Sequence, residues 1–98
     1  MTTVVFFHSE AYAEVVAAAA YYEGQQEDLG KRFLSSVEDG LARIRINPQL
    51  YPLIDGDVRR CLMRTFPFSV LFRNRSERIE IVAVMHLRRE PGYWKERG

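Results

Sequence analysis

The stretch that decides the fold is residues 58–98, which read VRRCLMRTFPFSVLFRNRSERIEIVAVMHLRREPGYWKERG. Its three short apolar runs are rich in β-branched and aromatic side chains, which is the pattern of β-strands. Thr65-Phe66-Pro67 separates the first two runs, since proline cannot donate to a central ladder. Asn74-Arg75-Ser76-Glu77 is a polar connection typical of a hairpin. The stretch therefore predicts a three-stranded antiparallel meander that ends in an aromatic and basic tail.

Upstream of the meander, the sequence predicts one strand and one helix before residue 25. Residues 4–8 form the strand, and Ser9 after them is a good N-cap. The helix is predicted to run to about Gly24. Its predicted buried face has apolar or small residues at helical spacing: Tyr12, Val15, Val16, Ala19 and Tyr22.

A second helix follows, with Asp28 as its predicted cap and Asn47-Pro48 as its end. Its apolar stripe contains Leu29, Phe33, Val37, Leu41 and Ile44. The small residues 17–20 would allow the two helices to approach closely, which predicts a helical hairpin. Residues 48–57 are predicted to be a loop because of their prolines and their Asp-Gly pair.

The last strand is predicted to lie in the centre of the sheet. Simple alternation places one set of side chains on one face and a second set on the other: Ile79, Ile81, Ala83 and Met85 opposite Glu80, Val82, Val84 and His86. Both sets are mostly apolar, so both faces need a cover. The hairpin covers one face, and either the tail or another chain covers the other.

The predicted fold class is α+β, with an N-terminal strand, a helical hairpin and a three-stranded antiparallel meander in one domain, residues 1–98. An apolar fraction of 47% with 28% charged residues is ordinary for a globular protein. The single cysteine, Cys61, excludes an internal disulfide and is expected to be a buried, inert thiol. The N-terminus lacks the basic region of a signal peptide, and no apolar stretch is long enough to span a bilayer. A cytoplasmic protein without a membrane contact is expected.

The charge is unevenly distributed along the chain. Residues 1–57 carry four basic against nine acidic side chains, a net charge of −5, while residues 58–98 carry ten against four, a net charge of +6. Such asymmetry indicates a charged partner on the basic side, unless the elements merely divide the solubilising charge between them. No metal-ligand spacing and no glycine-rich phosphate loop occurs, so neither a metal nor another cofactor is expected.

The order of these elements, together with a set of short motifs, resembles the RelE/ParE superfamily of bacterial toxin–antitoxin pairs. The matching residues are Tyr21-Tyr22-Glu23, Leu29-Gly30, Phe33, Val37-Glu38, Ile44, Asn47-Pro48, Tyr51-Pro52, Arg59-Arg60, Phe66-Pro67-Phe68, Ile81-Val82-Ala83-Val84, His86-Leu87-Arg88-Arg89, Pro91, Trp94 and Arg97. The resemblance covers nearly the whole chain. It implies an antiparallel sheet packed on a helical hairpin, and a small antitoxin that wraps the toxin in a hetero-oligomer.

The resemblance leaves two activities open, since RelE-like members cut mRNA in the ribosome and ParE-like members poison DNA gyrase. Under the nuclease alternative, His86 would be the general acid or base, and Arg59, Arg60 and Arg88 would hold phosphate. A histidine at a strand end is also commonly a structural hydrogen-bond partner. The middle of the chain has no lysine between Arg32 and Lys95, and the net charge of +1 is low for a protein that grips RNA.

The ParE-like interpretation is therefore preferred, with no catalytic residue and with DNA gyrase as the expected target. The expected target-binding residues follow the last strand: Arg88, Arg89, Tyr93, Trp94, Lys95 and Arg97. Aromatic and arginine side chains are frequent anchors of protein interfaces. The tail aromatics could equally cover the protein's own core. A third possibility is a regulatory member that acts only as an antitoxin-bound repressor.

Overall fold

The chain folds as a five-stranded sheet with a helical hairpin on one face, in a computed structural model that describes residues 3–97. Gly98, the end of the predicted tail, lies outside the described residues. The elements are β1 (Val4–Phe7), α1 (Ser9–Gln25), α2 (Leu29–Ile46), a 3-10 turn (Pro48–Leu50), β2 (Leu53–Asp55), β3 (Val58–Leu62), β4 (Phe68–Arg75) and β5 (Arg78–His86). The predicted α+β order of strand, hairpin and meander is confirmed.

The strand order in the sheet is β1-β5-β4-β3-β2. β1 pairs with β5 in parallel, and the other neighbours are antiparallel. The last strand is therefore central between β1 and β4, as predicted. Residues 48–57 were expected to be a loop, but they contain the 3-10 turn and β2, in which Leu53 pairs with Arg59. This strand was missed because it has only three residues, directly follows Pro52 and ends at the first residue of an Asp-Gly pair, and the proline and the Asp-Gly pair are signals of a loop.

Helix α1 begins one residue earlier than a cap at Ser9 would allow. His8 is the N-cap, and its Nδ1 accepts a hydrogen bond of 3.1 Å from the backbone N–H of Glu10. A ring nitrogen can satisfy a free N–H of the first turn just as a serine hydroxyl does. Neither α1 nor α2 is long and apolar enough to cross a membrane, and these are the α-helices of the described residues.

The buried face of α1 differs from the predicted face. Tyr12 and Val16 are 61% and 53% exposed, whereas Ala11 and Val15 are buried. Ala18, Ala19 and Tyr22 also pack against the core. The prediction was therefore correct for Val15, Ala19 and Tyr22 and wrong for Tyr12 and Val16, because it favoured bulky residues over small ones. Small side chains such as Ala11 let the helix lie close to the sheet.

The two helices meet at a close contact between Gly30 and the end of α1. Asp28 is the N-cap of α2 but its side chain makes no capping hydrogen bond, contrary to prediction. Glu23 of α1 caps α2 instead: its two carboxylate oxygens accept from the N–H groups of Asp28 and Gly30, at 3.0 and 2.9 Å. The same carboxylate therefore caps one helix and joins it to the other.

The sheet has a core on each face. The helix-side core includes Phe33, Ile44 and Phe72, together with Cys61, whose burial raises the pKa of its thiol. The outer core is smaller and consists of Val58, Leu71, Val82, Ala83 and Trp94. The tail therefore covers the outer face, which is one of the two covers predicted for it.

A bulge in β5 shifts which side chains reach each core. Leu71 pairs with Ala83 and Phe72 with Ile81, so Val82 is an extra residue between two pairs. Val82 and Ala83 both belong to the outer core, and Val84 returns to the helix side. The predicted alternation was therefore correct as far as Val82 and wrong from Ala83 onward, since a bulge reverses the parity of all later residues.

Candidate functional site

Strand β1 pairs with only part of one edge of β5. Beyond the end of β1, side chains form hydrogen bonds with the backbone of β5 instead. Pairing with β1 stops at Phe7, opposite Ile81. Beyond Ile81 in β5, the N–H of Val84 donates to Oε1 of Glu14 at 3.0 Å, and the carbonyl of Val82 accepts from Nη1 of Arg97 at 3.1 Å. A buried backbone group without a partner would be costly, so Glu14 and Arg97 take the place of a neighbouring strand.

Glu14, Tyr93 and Arg97 form a cluster, called here the Glu14 cluster, that fixes the tail. The guanidinium of Arg97 donates to both carboxylate oxygens of Glu14, at 3.0 and 3.1 Å, and the Tyr93 hydroxyl donates at 2.6 Å. The Arg97 side chain is only 9% exposed and that of Glu14 16%. Such charge-assisted, paired hydrogen bonds set both distance and orientation. The tail is therefore held in one position against β5.

The surroundings of Tyr93 favour its neutral form. Burial raises the pKa of its hydroxyl, and the hydrogen bond to Glu14 raises it further. Burial alone would lower the pKa of Arg97, but the hydrogen bond to Glu14 and the neighbouring charges, chiefly that of Glu14, together outweigh it, so the net pKa is raised. The Arg89 guanidinium lies over the Tyr93 ring, 3.9 Å from its centroid, and that of Arg97 lies at 5.0 Å.

Alkaline pH is expected to loosen the tail through Tyr93. Unfolded Tyr93 ionises near its ordinary pKa of 10.0, whereas folded Tyr93 keeps its proton to higher pH. The free energy of unfolding should therefore fall as the pH rises above 10, because the unfolded state then binds fewer protons. Urea denaturation at about pH 8 and about pH 11 should show a smaller fall for Tyr93→Phe than for the unchanged chain. Equal falls for the two chains would contradict this assignment.

Three of the expected target-binding residues are held by contacts within the protein itself. Trp94 is 4% exposed within the outer core, and Tyr93 and Arg97 belong to the Glu14 cluster. The other three residues, Arg88, Arg89 and Lys95, are exposed. The basic surface of the tail is thus available to a partner, while its aromatic rings mainly hold the tail in place.

A groove lies between the tail and strands β2 and β3, and we call it the outer groove. Its volume is about 440 Å³. Apolar side chains form its floor, including Leu71, Met85 and Trp94. Charged side chains stand on its walls: Asp55, Arg60, Arg89 and Lys95. Lys95 of the tail reaches Asp55 of β2 at 3.5 Å, so an ion pair joins the two walls.

Of the residues of the nuclease alternative, Arg60 is separated from His86 by the sheet, whereas Arg88 lies beside His86. His86 lies on the helix side, with its ring 5.1 Å from that of Phe68, and its Nδ1 accepts from the N–H of Arg88 at 3.0 Å. Arg59 donates to the carbonyl of Tyr51 at 2.7 Å. Arg60 lies in the outer groove, on the other face. The structure therefore does not bring His86 and Arg60 to one site.

Sequence reasoning missed Glu14 and the groove residues Asp55, Leu71 and Met85. Glu14 had a weak signal, since it is a carboxylate between Ala13 and Val15 in a helix rich in alanine and valine. A charged residue in such a position requires a partner if it is buried. The groove residues had no local signal, because the groove forms only when the tail lies over the sheet.

Comparison with models of protein families matches residues 5–91 to the ParE toxin of the type II toxin–antitoxin system, parDE. Among solved structures, a similar chain comes from the chromosomal ParDE TA system of P. aeruginosa. It is 20% identical, with a TM-score of 0.63, and the match covers 87% of this chain and 96% of that one. At this identity the likeness shows the fold alone. A search of curated proteins finds no match.

Proposed function

The chain belongs to the ParE toxin family of type II toxin–antitoxin systems, and from this premise we propose that it stops bacterial growth by binding DNA gyrase in the cytoplasm. Membership of a toxin–antitoxin system implies a cognate antitoxin partner. We propose further that this antitoxin neutralises the toxin by binding it directly.

The observation that carries the binding proposal is that His86 and Arg60 lie on opposite faces of the sheet, which leaves Arg88 as the exposed arginine beside His86. A general acid or base must reach the proton that it transfers, and cations must reach the same phosphate. His86 faces the helices, whereas Arg60 faces the outer groove. Arg59 is already held by backbone carbonyls. This arrangement favours a protein that acts by binding over one that cleaves RNA.

Apolar surface on the helical hairpin supports the antitoxin proposal. Tyr12, Val16 and Tyr21 are exposed on α1. Beside them lies an apolar groove of about 480 Å³ between α1 and the end of β5, lined in part by Tyr22 and Phe68. Exposed apolar surface of this kind commonly marks a protein interface. The isolated toxin is therefore expected to self-associate, and co-expression with the antitoxin to relieve this.

The proposed target is tested by inducing the chain alone in bacteria. We expect DNA breaks and induction of the SOS response before any cleavage of mRNA. Purified toxin should also inhibit supercoiling by purified gyrase, and added antitoxin should restore it. Cleavage of mRNA as the first event, with gyrase unaffected, would overturn the proposal in favour of the nuclease.

A pair of variants separates the two activities at the level of residues. His86→Gln should leave growth inhibition nearly unchanged, whereas loss of a general acid or base would reduce it by roughly a hundredfold or more. The double substitution Arg88→Glu and Lys95→Glu should relieve growth inhibition, since both side chains are exposed and cationic. Deletion of the whole tail is less informative, because it removes Trp94 from the outer core. Antitoxin binding serves as the control for folding.

A further inference from the structure

We propose that the outer groove binds an acidic peptide segment that inserts an apolar side chain between the tail and the sheet. The inference rests on the proposed function only in taking the toxin's target to be a protein. The groove is formed between two parts of the chain that are far apart in sequence: strands β2 and β3 on one side and the tail on the other.

The floor of the groove suits an apolar side chain. Leu71 is fully buried and Trp94 nearly so, and Met85 is half-buried beside them. At the rims, Ile54 and Leu87 are 40% and 49% exposed. An inserted side chain would contact the buried floor and remove the exposed surface of Ile54, Leu87 and Met85 from water, which favours binding.

The walls of the groove suit carboxylates. Arg60, Arg89 and Lys95 stand against a single acidic residue, Asp55, so the walls carry a net charge of +2. Within residues 3–97, ion pairs engage Lys95 with Asp55 at 3.5 Å and Arg89 with Glu14 at 4.0 Å, but none engages Arg60. An exposed arginine above an apolar floor is a frequent anchor for a partner's carboxylate.

The groove is less suited to RNA than to a peptide. Binding of single-stranded RNA relies on exposed aromatic rings on which bases stack. Trp94 is 4% exposed, and guanidinium groups cover the Tyr93 ring at 3.9 and 5.0 Å. The net positive charge of the walls and the apolar floor of the groove both fit an acidic peptide instead.

The ion pair between Asp55 and Lys95 acts as an internal competitor for the ligand. A carboxylate of the peptide that binds Lys95 must displace Asp55, which lies 3.5 Å from it. Removing the charge of Asp55 should therefore strengthen binding, whereas reversing the charge of Arg60 should weaken it. Opposite changes in affinity on substitution of Asp55 and of Arg60 are expected only if the ligand is acidic and binds in this groove.

The test uses the full chain and a fluorescent synthetic peptide in which Glu and Asp alternate with Leu and Phe, followed by fluorescence anisotropy. We expect Arg60→Glu to weaken binding on the order of five- to tenfold, and Asp55→Asn to strengthen it by a few-fold. The matched control is Arg45→Glu, which makes the same change of charge at an exposed position in the last turn of α2. It should retain the affinity of the unchanged chain.

Three results would overturn the inference. They are equal losses for Arg60→Glu and Arg45→Glu, equal binding of a peptide with Gln and Asn in place of its acids, and tighter binding of an oligouridine than of the acidic peptide. The outcome is separate from that of the gyrase test. If the toxin inhibits gyrase but the peptide does not bind, the groove proposal alone fails. If the peptide binds with the predicted pattern but gyrase is unaffected, the target alone is wrong.

Discussion

Glu14→Ala is expected to lower the free energy of unfolding by roughly 3–5 kcal/mol, since removal of one partner leaves a buried charge without compensation. Arg97 would lose both of its carboxylate contacts while only 9% of its side chain is exposed. The Tyr93 hydroxyl and the N–H of Val84 would lose their acceptor as well. Urea denaturation measures the loss. Trp94, the single tryptophan of the chain, reports on the tail through its fluorescence.

Glu10→Ala is the matched control for Glu14. Glu10 lies on the same helix and also faces Arg97, at 3.9 Å, but its side chain is 65% exposed. Exposed ion pairs contribute about 0–1 kcal/mol, so this variant should remain close to the unchanged chain. If the two variants lost the same stability, or if Trp94 emission in Glu14→Ala matched that of the unchanged chain, the Glu14 cluster would not be what fixes the tail.

Gly30→Ala is expected to cost roughly 1–3 kcal/mol or more, because the helices have no space for a side chain at this position. A Cβ atom there would lie 2.6 Å from the carbonyl oxygen of Ala19 and 2.9 Å from Oε1 of Glu23. The first of these atoms belongs to the backbone, so the helices themselves would have to move apart. That movement would also weaken the cap that Glu23 provides to α2.

Gly24→Ala, in the same hairpin, is expected to change the free energy of unfolding in the opposite direction. Gly24 lies in the last turn of α1, and a Cβ atom there would meet no atom within 4 Å. Alanine should stabilise the helix by up to about 1 kcal/mol, because glycine loses more backbone entropy on folding. Thermal or urea denaturation of both variants checks the pair. A stable Gly30→Ala would show that the helix contact is looser than the structure describes.

The features that could be predicted from sequence are those with a local pattern. The three apolar runs around Cys61, Val70 and Val82 became β3, β4 and β5, and the apolar stripe with Phe33 and Ile44 became the buried face of α2. Each of these signals lies within a window of a few residues. Periodicity and turn residues therefore suffice to find them.

The features that were missed depend on contacts between distant residues. The bulge at Val82 has no marker such as glycine or proline, yet it reverses the faces of all later residues in β5. Glu14 and Arg97 are 83 positions apart. The roles of Tyr93 and Trp94 could not be assigned for the same reason, because an aromatic residue in a tail has the same local pattern whether it covers its own core or contacts a partner.

The pairing of β1 with β5 means that the sheet cannot be completed until β5 has left the ribosome. Synthesis at 5–20 residues per second takes roughly 5 to 20 s for a chain of 98 residues. Throughout that interval β1 and the hairpin lack the strand against which they pack, and the outer groove lacks the wall that carries Lys95. The nascent toxin is therefore without its proposed binding surface until Lys95 has been added. An antitoxin already in the cell can meet each new molecule as it completes its fold.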